Sequence, residues 1–198
     1  MAEELETLKL EELLKDENYG LDGEFCLTIV TGNENFTLSR IEGKKIVLTE
    51  AGKIVEEYLN QAEDHFSNVT IKDVVIMPNC LHALVEIDSN ASKKRNFIVH
   101  DISRFEISFG LVVGRKNPFM LKGSIFHLIS WFKAASLLEL RKNVYEDFTW
   151  KSGYYDFKIK DRSAEKKVKE YLKKSAVSWP LVKENPHEGL LSYLSKKE

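Results

Sequence analysis

Apolar and polar residues alternate with period two in some stretches of the chain and recur with helical spacing in others. Phe25, Leu27 and Ile29 alternate with Cys26, Thr28 and Val30 across Glu24–Thr31, which reads as a strand with two distinct faces. Phe36–Arg40 and Lys44–Leu48, parted by Glu42-Gly43, predict a hairpin. Thr49 suits the N-cap of a helix running to about Phe66, with Ile54, Tyr58 and Ala62 on one stripe. Val69–Met77 and Leu81–Ile87 are apolar runs of strand length on either side of a turn at Pro78-Asn79. The longest helical pattern spans Ser124–Arg141, where Ile125, Leu128, Ile129, Phe132, Ser136 and Leu140 fall near helical spacing. Tyr155, Phe157 and Ile159 against Asp156, Lys158 and Lys160 make a half-buried strand over Gly153–Lys160. From Ser163 to about Lys174 the chain reads as a lysine-rich helix with Ala164, Val168, Tyr171 and Ser175 along one face. Leu5, Leu8, Leu10, Leu13 and Leu14 mark a short amphipathic helix over Glu3–Lys15, broken at Tyr19-Gly20. Asp88–Lys122 is the least regular stretch and includes the basic run Lys93-Lys94-Arg95.

The element order is therefore strand, hairpin, helix, strand, strand, helix, strand, helix. With the hairpin set aside it is β-α-β-β-α-β followed by an additional C-terminal helix. That order predicts an α+β, ferredoxin-like antiparallel sheet with two helices on one face. An acidic helical extension is expected over residues 1–22, the domain over 23–180 and a tail over 181–198.

Composition narrows the class. At 198 residues and 22.8 kDa the chain suits one domain with an ample core. No apolar run approaches the roughly 18 residues of a membrane span, and the first residues are acidic rather than basic-plus-apolar, so a cytoplasmic location is expected. Cys26 and Cys80 offer neither a disulfide framework nor a CxxC pair. The net charge of −2 hides an asymmetry: residues 1–20 hold seven acids against two lysines, a net of −5. Residues 151–174 hold nine Lys/Arg against four acids, a net of +5. Such a stretch is either a solvated helix face or a track for a phosphate backbone.

Candidate chemistry centres on Met77-Pro78-Asn79-Cys80-Leu81-His82. On a strand, Cys80 and His82 share a face while Leu81 points to the other. Together they could contribute to a divalent metal site, zinc included, although each also reads as an ordinary strand residue. Three ordered segments then resemble the REP-associated tyrosine transposases, relatives of the insertion-sequence-type single-tyrosine HUH transposases. Leu48-Thr49-Glu50-Ala51-Gly52-Lys53 leading into Met77–His82 resembles the approach to the family's Met-Pro-Asn-His-hydrophobic-His. Ser130-Trp131-Phe132-Lys133-Ala134-Ala135 is similar to its Ser-Phe-Lys-Ser-Ala helix. Trp150-Lys151-Ser152-Gly153-Tyr154-Tyr155-Asp156-Phe157-Lys158-Ile159, followed by Tyr171-Leu172 and Val177-Ser178-Trp179, resembles the family's C-terminal motifs. The likeness covers about residues 24–180.

By that resemblance Tyr171 is the nucleophile, and His82, Cys80 and Ser175 are the ligands of a Mg²⁺ or Mn²⁺ ion that orients the scissile phosphate. Single-stranded or hairpin DNA is the implied partner, bound by a monomer or a homodimer. The lysine-rich face, with Lys158, Lys160, Arg162, Lys166, Lys167, Lys169, Lys173 and Lys174, is the implied DNA contact. The chain departs from the pattern at Cys80, Ser175 and Phe157, and its first residues are acidic where the family is arginine-rich. Two readings follow: a transposase-like DNA-binding protein that nicks and joins strands, or a catalytically inactive relative serving as a DNA-binding or protein-interaction module. Tyr171 taken alone reads as a half-buried aromatic on an amphipathic helix, and Ser175 as a helix-terminus hydroxyl.

Overall fold

The computed structural model describes residues 22–33, 37–88, 90, 123–182 and 184–195. The helix read over Glu3–Lys15 and the basic run Lys93-Lys94-Arg95 lie outside them. In chain order the elements are β1 (Gly23–Val30), β2 (Ser39–Glu42), β3 (Lys45–Leu48), α1 (Glu50–His65), β4 (Val69–Ile76), β5 (Cys80–Ile87), α2 (Ile125–Asn143), β6 (Tyr155–Ile159), α3 (Arg162–Val182) and α4 (Pro186–Ser195). Strands β4, β5, β1 and β6 form one antiparallel sheet in that order, and β2 and β3 form a separate ribbon. This is the α+β arrangement that the alternation of strand and helix patterns implies.

Local chemistry accounts for the ends of the elements. Thr49 is extended at φ −79° and ψ 177°, and its hydroxyl oxygen accepts from the Gly52 N–H at 3.2 Å, capping α1. Gly52 packs so closely on the hairpin approach that a Cβ there would lie 2.0 Å from the Leu38 carbonyl oxygen. Ser124 caps α2 by accepting from the His127 N–H at 3.2 Å. The hairpin turn uses Gly43 at φ +65°, a conformation that suits glycine.

Each face of the sheet is covered. On one, Phe25, Leu27, Ile29, Leu81, Ala83 and Val85 pack against Val55, Leu59 and Ala62 of α1 and Leu128, Ile129 and Phe132 of α2. On the other, Cys26, Cys80 and Leu84 meet Val168, Tyr171 and Leu172 of α3 and Leu190 of α4. The end of the last predicted helix differs from that read in the sequence. Helix α3 continues past Lys174 to Val182, with Ser175 and Ala176 buried next on the face that holds Val168 and Tyr171. Within the residues read as a tail, Pro186 and Leu190 are buried, and Pro186–Ser195 forms α4.

Candidate functional site

The alternation along β5 sends Cys80 and His82 to the α3 side of the sheet. In the β1–β5 register, Thr28 lies opposite His82 and Val30 opposite Cys80. Helix α3 crosses above and lowers Tyr171 onto His82, with ring centroids 5.5 Å apart and planes at 81°, an edge-to-face contact. Ser175 follows one turn later on the same helix face. Strand and helix positions almost a hundred residues apart in the chain thus converge, and all four of Cys80, His82, Tyr171 and Ser175 are buried, Tyr171 being 3% exposed.

His82, Cys80 and Ser175 find their polar partners within this cluster. Nδ1 of His82 lies 2.8 Å from Oγ1 of Thr28, and Nε2 lies 3.8 Å from Sγ of Cys80. The Ser175 hydroxyl donates to the Tyr171 carbonyl one turn back at 2.9 Å. Burial, and secondarily the charge of His187, pulls the His82 imidazole down to about 3. Burial pushes the Cys80 thiol up, and burial followed by the neighbouring Cys80 and Cys26 pushes the Tyr171 phenol up. At neutral pH every member is uncharged.

That donor set does not fit a hard divalent cation. Mg²⁺ and Mn²⁺ prefer oxygen ligands, carboxylates above all, whereas this cluster supplies a protonated thiol, an engaged imidazole and a serine already bonded to the backbone. Zinc would find one thiol and one imidazole. Among the described residues, no group of three or more His, Cys, Asp or Glu side chains is arranged to hold a metal ion.

A cover completes the seal. Tyr193 of α4 rests on Tyr171 with centroids 5.4 Å apart, and His187 stacks on Tyr155 of β6 at 4.1 Å. Leu190 of the same helix is buried in the cluster that holds Tyr171, 1% exposed. The basic positions lie elsewhere. Lys160, Arg162, Lys166, Lys173 and Lys174 are exposed, and Lys158, Lys167 and Lys169 are half-buried. Lys169 and Lys174 pair with Glu165 and Glu170 one turn earlier, each at 2.6 Å. Lys158 also sits over the Phe25 ring, 5.7 Å from its centroid.

Two residues gain importance only in three dimensions. Thr28 is the immediate polar partner of His82, although its sole mark in the sequence is the parity it shares with Cys26 and Val30. Lys133 is buried in α2, and its ammonium donates to the carbonyl of Lys151 at 3.0 Å and to that of Gly153. Burial draws that amine down to about 8. A lysine set among Trp131, Phe132, Ala134 and Ala135 in the middle of the helix was the available signal.

The fold is thus an α+β antiparallel sheet carrying a closed, uncharged polar cluster on one face and a lysine-rich helix above it. No protein-family model matches the chain. An uncharacterized protein of Haemophilus influenzae is 26% identical over 166 residues, covering 84% of this chain and 87% of the relative. A solved structure of a REP-associated tyrosine transposase bound to a REP hairpin aligns with a TM-score of 0.45 and 11% identity, over 84% of this chain and 71% of that one, a distant resemblance of fold. Among the described residues, no helix is long and apolar enough to cross a membrane.

Proposed function

We propose that this protein is a transposase-like DNA-binding protein of the cytoplasm that holds single-stranded or hairpin DNA on the β6–α3 lysine face and does not cut it. The observation that carries the reading is the state of the converged cluster: Tyr171 and His82 are in contact, both are buried, and burial holds both in their uncharged forms. A tyrosine nucleophile must lose its proton and reach a phosphate. Here burial opposes the phenolate, Tyr193 covers the ring, and the three residues aligned with the family's metal ligands form a set that suits thiol and imidazole packing better than Mg²⁺ or Mn²⁺. DNA binding is supported separately, by the three sequence motifs in family order and by the net charge of +5 over residues 151–174.

The test uses labelled hairpin-bearing single strands with Mn²⁺, comparing the wild type with Tyr171→Phe. Retained binding in both, with no covalent protein–DNA adduct in either, is the expected result. A tyrosine-dependent adduct would overturn the non-cutting half of the reading, and absence of binding would overturn the DNA half.

A further inference from the structure

We propose that the acidic segment 1–21 is the intramolecular occupant of the lysine face of α3 and competes there with nucleic acid. The competition rests on the reading of that face as the DNA contact; the docking itself rests on charge and on the point of attachment. Residues 1–20 carry Glu3, Glu4, Glu6, Glu11, Glu12, Asp16 and Glu17 against Lys9 and Lys15. On α3 the Lys169–Glu165 and Lys174–Glu170 pairs balance each other along the helix, so the exposed Lys160, Arg162, Lys166 and Lys173, against the exposed Asp161, leave the face positive.

The chain enters the sheet beside this face. Glu24 pairs in register with Ile159 of β6, three residues before α3 begins at Arg162. Gly23 lies so near Lys158 that a Cβ would meet its Cε at 3.1 Å. The segment is therefore tethered at the end of the sheet from which the basic helix starts. Helix α3 has 21 residues, so at about 1.5 Å per residue it is roughly 30 Å long. A tether of 21 residues spans that length even if wholly helical, and exceeds it when extended. Tethering also sets an effective concentration of the order of millimolar, well above that of any competing strand in solution.

Carbodiimide cross-linking of the full chain, read by peptide mass spectrometry, tests the docking directly. Amide links within one chain from the acids of residues 3–17 to Lys160, Lys166 or Lys173 are expected. No links, or links only between chains, would overturn it. Fluorescence anisotropy with a labelled hairpin-bearing strand tests the competition, using the full chain, the full chain with Glu3, Glu4, Glu6, Glu11 and Glu12 changed to Gln, and the full chain with those five plus Asp16→Asn and Glu17→Gln. Both variants should bind about tenfold tighter than the wild type near 50 mM salt, with the gap closing as salt rises. Equal affinity in all three overturns the competition and leaves the proposed function standing. No binding by any form overturns that function and the competition with it, while the cross-links still decide the docking.

Discussion

The imidazole of His82 and the phenol ring of Tyr171 meet edge to face beneath α4, at 81° and 5.5 Å between centroids. The contact joins the sheet to α3 at a place where the polar side chains of Thr28, His82 and Ser175 interrupt an apolar layer. Its geometry is that of aromatic packing, and its surroundings are those of a protein core.

The ring of Tyr171, rather than its hydroxyl, should therefore matter to stability. Tyr171→Phe is expected to change the unfolding free energy by less than about 1 kcal/mol, whereas Tyr171→Ala should cost about 3–5 kcal/mol as a cavity opens under Tyr193. Urea denaturation of the three proteins measures both, and equal losses in the two variants would count against a packing role.

Thr28 is the partner that lets a histidine remain uncharged inside this layer. Thr28→Val leaves Nδ1 of His82 buried without its 2.8 Å contact and should cost about 1–3 kcal/mol. Thr28→Ser keeps the hydroxyl and should lose less. If the two variants unfold at the same urea concentration, the hydrogen bond contributes nothing.

Lys133 makes stability depend on pH at the alkaline end. Its folded-state amine lies at about 8, below the ordinary 10.5, so between those values the unfolded chain binds more protons. Stability should rise with pH across that window, at up to about 1.4 kcal/mol per pH unit, and this contribution is lost as pH falls to 8. The difference in unfolding free energy between the wild type and Lys133→Met, followed from pH 8 to 10, isolates the slope. A lysine Nζ resonance titrating with the surface amines would refute the assignment.

Exposed lysines of α3 should act on nucleic acid through salt-dependent contacts. Lys166→Ala and Lys173→Ala are each expected to weaken binding by a similar factor for all sequences and to reduce the slope of log affinity against log salt by about one. A variant that alters sequence preference while leaving the slope unchanged would assign the residue to base contacts instead.

How much of this was legible in the chain depends on the range of the interaction. The β4–turn–β5 unit was readable, since Val74–Ile76 and Leu81–Ile87 flank Pro78-Asn79 and the pairing is local. The Thr49 cap was readable for the same reason: its partner is Gly52, three residues on. That Cys80 and His82 share a face follows from strand parity alone. Thr28 was not readable, because its link to His82 spans 54 residues and depends on strand register. Nor was the end of α3: the lysine-rich pattern stops at about Lys174, and the burial of Ser175 and Ala176 beyond it appears only with the tertiary structure. Helix α4 is short and weakly periodic, so its docking on Tyr155 and Tyr171 appears only with the tertiary structure.

The sheet that separates the two packed layers has one further consequence. Because neighbouring residues of β1 and β5 point to opposite sides, a change at Cys26, Thr28, Cys80 or His82 leaves the α1–α2 layer with all of its own side chains in place. The domain is thus built like a wall with a room on either side: the reactive fittings of one room can be exchanged for plain ones of the same size while the furniture of the other is left untouched.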